Sequence, residues 1–212
     1  MARGRAGDRR KTQCACALLL VDVVNDLEFD GGDKLLRDAG RMARAVASLA
    51  ERARAADVPV IYANDNFGQW RSNFSTQVQH CLNEDVRGKR VVELLVPQAS
   101  DYFVLKPRHS AFFETPLQTL LSALGVGTLV LCGIAGDNCV LFTAHDAYMR
   151  GYRIVVPRDG LACDRPAAKR WALDHCRKNL HAQTPLGAHV RFAELCRGER
   201  SASSAAHLLH PG

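Results

Sequence analysis

Three residues with catalytic potential lie at the ends of apolar segments of strand length. Asp22 follows the first long apolar run, Lys106 ends another such segment, and Cys139 comes a short glycine-containing turn after a third. A carboxylate can take the proton of a thiol and deliver it to a leaving group, and a nearby ammonium favours the anionic forms. A cysteine can attack a carbonyl carbon. Together the three residues predict an acyl-transfer site, if the fold brings them to one place.

Each of these residues has a more ordinary interpretation when it is taken alone. An aspartate after a strand is commonly a turn residue, and a lysine at a strand end commonly extends into solvent. One cysteine among eight is more often a small buried hydrophobe than a nucleophile. The conjunction favours catalysis, because Cys139 is predicted at a helix N-terminus, where backbone N–H groups and Lys106 would both favour a thiolate.

Apolar segments alternate with amphipathic helical periodicity along the chain. We predict strands over 15–21, 58–63, 101–106, 128–134 and 152–156, with a weak sixth at 188–192. Helices are predicted over 34–56, from Pro116 with Thr115 as the N-cap, over 139–150 and near 165–182. This pattern indicates an α/β fold: an open, doubly wound, mainly parallel six-stranded sheet with helices on both faces, in three layers. Ligands of such sheets bind beyond the carboxyl ends of the strands, where the three residues would meet.

Composition indicates one globular domain. The chain has 212 residues, 47% hydrophobic and 24% charged, and no apolar run approaches the roughly 18 residues of a membrane-spanning helix. We expect one folded domain over 14–198 between a disordered basic tail at 1–13 and a disordered tail at 199–212. The net charge of +6 comes mostly from that basic tail, so nucleic-acid binding is not expected. A signal peptide is not expected either, because no suitable cleavage site follows the apolar run.

The cysteine pattern favours thiols over disulfide bonds or zinc ligands. The eight cysteines include no C-x-x-C pair and no cysteine–histidine spacing typical of zinc sites. Alternation puts Cys14 and Cys16 on one face of the first strand, as expected for buried thiols. We therefore predict a reducing, cytoplasmic location.

Three segments of the sequence resemble the isochorismatase-like cysteine hydrolase superfamily, which includes N-carbamoylsarcosine amidohydrolase, nicotinamidase and ureidoacrylate hydrolase. They are LLLVDVVND at 18–26, VLK at 104–106 and VLCGIAGDNCV at 130–140, and the third is the most specific. The resemblance extends over about residues 15–195.

This resemblance implies a catalytic triad of Asp22, Lys106 and Cys139. It also implies a cis peptide bond between Ile134 and Ala135, with the backbone N–H groups of Ala135 and Cys139 forming the oxyanion hole. It further implies a small-molecule substrate, no cofactor, and a homo-oligomer, either a dimer or a tetramer. Six residues are candidates for substrate binding: Asn25, Asn64, Phe67, Trp70, Arg71 and His109.

The sequence favours hydrolysis of a small amide, ureido or carbamoyl compound through a thioester on Cys139. Isochorismatases proper cleave a vinyl ether and need no cysteine nucleophile. A vinyl-ether hydrolase in which Asp22 is the acid is therefore one alternative. A catalytically silent, oligomeric binding protein of the same fold is the other alternative. The intact set of three residues counts against it.

We predict that activity requires no metal ion. Nicotinamidases carry a metal-binding Asp-x-His motif after the second strand, and this chain has Asp65, Asn66 and Phe67 there, with no imidazole. Hydrolytic turnover is therefore expected to be unchanged after dialysis against EDTA. Activity that is lost on chelation and restored by zinc would contradict this prediction.

Overall fold

A computed structural model describes residues 16–66 and 73–197, and it has a parallel sheet between two layers of helices. The strands are β1 (Cys16–Val21), β2 (Val60–Asp65), β3 (Tyr102–Lys106), β4 (Thr128–Ile134), β5 (Arg153–Val155) and β6 (Leu161–Ala162). Their order is β3-β2-β1-β4-β5, with β6 paired to β4. All of these pairings are parallel, so the predicted fold class is confirmed.

Helices connect the strands and cover both faces of the sheet. They are α1 (Gly32–Ala55), α2 (Phe74–Asn83), α3 (Lys89–Leu94), α4 (Leu117–Ala123), α5 (Cys139–Met149), α6 (Pro166–Asn179) and α7 (Phe192–Arg197), with a 3₁₀ turn at Gly187–His189. Within the described part of the chain, none of them is both long and apolar enough to cross a membrane. The predicted tails at 1–13 and 199–212 lie outside the described residues.

Strand β1 divides the hydrophobic core into two halves. All six of its residues are buried, and alternate side chains point to opposite faces of the sheet. Leu18 and Leu20 pack in the core half that contains Met42 of α1, whereas Leu19 packs in the half that contains Leu117 of α4. Burial on both faces explains why β1 is continuously apolar in the sequence.

The sixth strand is not where the sequence placed it. The predicted strand at 188–192 is wrong: this segment forms the 3₁₀ turn and the start of α7. Its carbonyl groups have a different partner, since the guanidinium of Arg52 donates to the carbonyl oxygens of Gly187 and Val190. The true sixth strand, β6, has two residues, which is too short to produce a recognisable alternation.

Two smaller expectations also change. Pro116 is the N-cap residue of α4, and the predicted cap, Thr115, accepts a hydrogen bond from the N–H of Leu117 through its hydroxyl. Cys196 is disulfide-bonded, so the expectation of thiols throughout is wrong at this residue. Its sulfur also lies 3.1 Å from the sulfur of Cys16 on β1, which is a hydrogen-bond distance and too long for an S–S bond.

Gly133 allows β1 and β4 to approach closely beside Asp22. It pairs with Val21, and its φ of 137° is unfavourable for residues with a Cβ. A Cβ at this position would collide with the carbonyl oxygen of Val21. The carboxyl ends of the two strands therefore depend on glycine here.

We predict that Gly133→Ala lowers the free energy of unfolding by about 3 kcal/mol or more, through strain and collision. Gly40→Ala is the matched control, because Gly40 lies inside α1 and a Cβ there would meet nothing within 4 Å. This control should raise the free energy of unfolding by about 0.5–1 kcal/mol. Urea denaturation measures both values, and equal effects of the two substitutions would contradict the close-approach argument.

Candidate active site

The carboxyl ends of three neighbouring strands bring together the residues that the sequence singled out. Asp22 directly follows the central strand β1, Lys106 ends β3, and Asp65 ends β2 between them. Asp65 is the register partner of Lys106. Parallel strands place their carboxyl ends at one edge of the sheet, so residues far apart in sequence meet there.

Asp22 and Lys106 form a buried ion pair. Nζ of Lys106 lies 2.8 Å from Oδ2 of Asp22, and the side chains are 0% and 7% exposed. The ammonium also donates to the carbonyl oxygen of Arg108 at 3.2 Å and lies 3.6 Å from Oδ2 of Asp65. The other oxygen of Asp22 accepts the backbone N–H of Asp65 at 2.7 Å. Both buried charges are thus paired and hydrogen-bonded, as burial requires.

Cys139 joins this pair from the N-terminus of α5. It is the first residue of that helix, it is half-buried, and it lies near enough to Asp22 for the carboxylate to raise the pKa of its thiol. Five other cysteines of the described residues are buried: Cys16, Cys81, Cys132, Cys163 and Cys176. Cys139 is therefore more open to a reagent or substrate than these five residues.

The protonation states at the site follow from burial and charge. Burial raises the pKa of Asp22, although the ammonium of Lys106 opposes this. Burial alone would lower the pKa of Lys106, but the attraction of Asp22 and of a Cys139 thiolate outweighs it, so that pKa is raised. Burial, and then the charge of Asp22, raise the pKa of Cys139 to about 12. The expectation of a favoured thiolate is therefore wrong for the free protein, because desolvation and Asp22 outweigh Lys106 and the helix N-terminus.

The turn before Cys139 presents backbone donors. The Ile134–Ala135 peptide bond is cis, at the position that the family resemblance implies. The carbonyl oxygen of Ala135 accepts the N–H groups of Asn138 and Val140, which closes the turn. Among the described residues, no hydrogen bond uses the N–H of Ala135 or of Cys139. Both groups are thus available to an oxyanion beside the sulfur.

The six candidate substrate-binding residues fall into three groups. Asn25 accepts the N–H of Leu27 through its side chain, and the amide of Asn64 donates to the carbonyl oxygen of Val24. Both asparagines are buried and hold the loop after β1, and their contact with a substrate stays a prediction. The candidates Phe67, Trp70 and Arg71 lie outside the described residues.

His109 is the third group, and it lies beside the nucleophile. Its Nδ1 is 3.9 Å from Sγ of Cys139. The ring stacks on Phe142 with centroids 5.2 Å apart. The sequence placed His109 near the site, because it follows Lys106 closely, and gave no sign of its contact with sulfur.

Sequence reasoning missed the side chains that connect the loop after β3 to α5. Thr143 donates its hydroxyl proton to the carbonyl oxygen of Cys139 at 2.7 Å and accepts the N–H of Ala111 at 3.0 Å. The hydroxyl of Ser110 donates to Asp146 at 2.5 Å. The spacing of Thr143, four residues after Cys139 on a predicted helix, was the one available signal.

The donor set at this edge of the sheet does not resemble a metal centre. Across residues 16–66 and 73–197, no group of three or more histidine, cysteine, aspartate or glutamate side chains is placed to hold a metal ion. Asp65, which the sequence compared with a nicotinamidase metal ligand, faces the ammonium of Lys106 instead.

Comparison with known proteins agrees with this architecture. The family model for the isochorismatase domain matches residues 16–189. The uncharacterized isochorismatase family protein YaaI of Bacillus subtilis (strain 168) is 42% identical over 167 residues, which cover 79% of this chain and 91% of that protein. The ureidoacrylate amidohydrolase RutB of Methylorubrum extorquens is 31% identical over 176 residues, which cover 68% of each chain.

A solved structure extends the comparison to the fold. The crystal structure of N-carbamoylsarcosine amidase from Thermoplasma acidophilum has a TM-score of 0.63 and 27% sequence identity, and the match covers 83% of this chain and 98% of that one. Sequence, fold and the arrangement at the carboxyl edge of the sheet lead to one conclusion: the chain belongs to the isochorismatase family of hydrolases.

Proposed function

We propose that this protein hydrolyses a small amide, ureido or carbamoyl compound through a thioester on Cys139. At the coarser level it is a hydrolase of C–N bonds other than peptide bonds, as relatives named ureidoacrylate amidohydrolase and streptothricin hydrolase support. One observation carries the finer proposal: Cys139 lies close to the buried, ion-paired Asp22, whose charge raises the pKa of the thiol, and two backbone N–H groups of the same turn have no acceptors among the described residues.

Acylation begins with transfer of the thiol proton. Asp22 accepts the proton of Cys139 while the sulfur electron pair attacks the carbonyl carbon of the substrate. Negative charge passes to the carbonyl oxygen, where the N–H groups of Ala135 and Cys139 stabilise it. The tetrahedral intermediate then collapses, Asp22 protonates the leaving nitrogen, and a thioester with Cys139 remains.

Deacylation reverses these roles with water as the nucleophile. Asp22 takes a proton from water, the resulting hydroxide adds to the thioester carbonyl, and the carbon–sulfur bond breaks. The proton returns from Asp22 to the sulfur, and the acid or carbamate product leaves. The carboxylate thus carries one proton in each half-reaction.

Lys106 controls the carboxylate in this scheme. Its ammonium is 2.8 Å from Asp22 and is fully buried, so it stays charged and lowers the cost of an ionised Asp22 in the interior. It also opposes the rise in the pKa of the Cys139 thiol. Lys106 therefore favours both the base and the developing thiolate.

A substrate screen tests the proposal. Purified protein would be assayed with small amides, ureas, carbamoyl compounds and isochorismate for release of ammonia or acid, beside Cys139→Ser and the buried-cysteine control Cys81→Ser. We expect turnover of a C–N substrate by the wild type and Cys81→Ser, and none by Cys139→Ser. Isochorismate cleavage that survives in Cys139→Ser would favour the vinyl-ether hydrolase, and no turnover of any compound would favour the silent binding protein.

We predict that Asp22→Asn leaves a folded protein whose kcat is lower by about 10²–10⁴-fold, because an amide cannot accept the thiol proton. Asp26→Asn is the matched control: Oδ1 of Asp26 accepts the N–H of Glu28, which an asparagine oxygen also accepts, and its Oδ2 contacts the exposed ring of His80 at 3.3 Å. Turnover and urea denaturation of both variants provide the measurement. Near-normal turnover by folded Asp22→Asn would contradict its role as the base.

The acid side of the pH profile should report Asp22. We predict that kcat/KM falls as pH drops and Asp22 becomes protonated, at a pH above the ordinary aspartate range, because burial raises this pKa. Lys106→Gln removes the stabilising positive charge, so it should move the fall to higher pH, whereas exposed Lys34→Gln on α1 should not. A fall that stays in place in Lys106→Gln would show that another group controls it.

The remaining expectations extend the proposal to the whole molecule. We expect a homo-oligomer, either a dimer or a tetramer, located in the cytoplasm and acting without cofactor, metal ion, membrane or nucleic acid. Sedimentation equilibrium measures the assembly directly.

A further inference from the structure

We propose that His109 donates a hydrogen bond to the sulfur of Cys139 and stabilises the thiolate as it forms. The inference rests on the proposed function, since it takes Cys139 as the nucleophile. It assigns the imidazole to the reacting sulfur, whereas the sequence suggested only a contact with substrate.

The direction of this hydrogen bond follows from counting protons. A thiol has one proton, and in the proposed mechanism that proton goes to Asp22, whose ionised carboxylate can only accept. In its contact with Nδ1 of His109, 3.9 Å away, the sulfur is therefore the acceptor and the imidazole the donor. The tautomer with a proton on Nδ1 satisfies both contacts at once.

The first turn of α5 fixes the imidazole in this position. Phe142 follows Cys139 by three residues and thus lies on the same side of the helix, where its ring stacks on His109 at an interplanar angle of 26°. The side chain of Phe142 is 52% exposed, and so large an exposed aromatic has no role in the core. Its role is instead to stack on the ring of His109.

Hydrogen bonds also fix the chain on both sides of His109. On one side, the ammonium of Lys106 donates to the carbonyl oxygen of Arg108. On the other, the hydroxyl of Ser110 donates to Asp146, and Thr143 accepts the N–H of Ala111. The backbone that carries His109 is thus fixed on both sides, and the ring itself contacts Phe142 and the sulfur, as expected for a preorganised group.

The chemical need for such a donor comes from the raised pKa of the thiol. With a pKa of about 12, Cys139 ionises only as its proton passes to Asp22, and the electron pair left on sulfur faces that same carboxylate. When the S–H bond breaks, the N–H of His109 strengthens its hydrogen bond to the now anionic sulfur. Because the donor approaches the sulfur directly, it acts on the nucleophile before any substrate is bound.

Alkylation of Cys139 by iodoacetamide tests this without a known substrate. The rate would be measured at one fixed pH by peptide mapping in the full-length wild type, in His109→Phe, which keeps an aromatic ring for Phe142, and in His109→Asn, whose amide N–H can replace Nδ1. We expect His109→Phe to slow labelling of Cys139 about tenfold and His109→Asn to keep at least about a third of the wild-type rate. All three proteins should react equally when unfolded in urea.

A second measurement separates donation from simple packing. Phe142→Ala should also slow labelling, because the ring of His109 loses its stacking partner, while Phe142→Leu should keep most of the rate. In His109→Phe, the Phe142→Ala substitution should have no further effect, as expected for residues that act as a unit.

The possible outcomes are distinct. Unchanged labelling in His109→Phe overturns the proposal, and a raised KM with unchanged labelling would show that His109 only binds substrate. Equal slowing in His109→Asn and His109→Phe would also overturn it, because the donor would then be irrelevant. If the proposed function itself fails, wild-type label appears mainly on other cysteines and turnover survives in Cys139→Ser.

Discussion

A lysine ammonium with no solvent exposure can exist inside a protein only if an opposite charge and hydrogen-bond acceptors replace water. Lys106 meets this condition through Asp22 at 2.8 Å and the carbonyl oxygen of Arg108 at 3.2 Å. The pair requires that β1 and β3 end at the same edge with β2 between them, which the observed strand order provides. Removing Lys106 would leave the buried Asp22 without its cation, and removing the charge of Asp22 would leave Lys106 with the longer contact to Asp65, so the ion pair constrains the fold as well as the chemistry.

The ion pair of Asp22 and Lys106 also influences the protonation of Cys139. A thiol at a helix N-terminus near a lysine is commonly acidic, but Cys139 faces the carboxylate of Asp22 and is mostly desolvated. In the proposed mechanism its proton is therefore retained until Asp22 takes it, so the reactive pair is a thiol and a carboxylate and not a thiolate and a cation. Such a nucleophile depends on correct positioning of its proton acceptor more than on its own acidity.

Close packing around the cysteine supports this positioning. Gly133 lets β4 approach the end of β1, and Gly136 leaves room for Leu161 and Cys163, which lie in and beside β6. The short strand β6 pairs with Gly133 and Ile134, so it supports the turn that leads to Cys139. The site is thus assembled from strand ends and one helix start, which position side chains more precisely than loops do.

Much of this molecule could be predicted from local sequence. The apolar run of β1 and the helical periodicity of α1 identify their elements, because each is long enough to show its period. Asp22, Lys106 and Cys139 could be selected because residues that follow parallel strands share one edge of the sheet. The family resemblance then supplied the position of the cis peptide bond, which no periodicity indicates.

Other features depended on contacts between distant segments. Residues 188–192 are apolar enough for a strand, but Arg52, on a helix far away in the sequence, binds the carbonyl groups there. The protonation of Cys139 could not be read from its neighbours in sequence, because it depends on how deeply α5 buries the sulfur and how near Asp22 comes. The contact between His109 and the sulfur needed the ring of Phe142 and the hydroxyl of Thr143 in place. Local sequence determined the elements and the reactive residue types, whereas burial and distance, which set charge states and hydrogen bonds, exist only once the chain is folded.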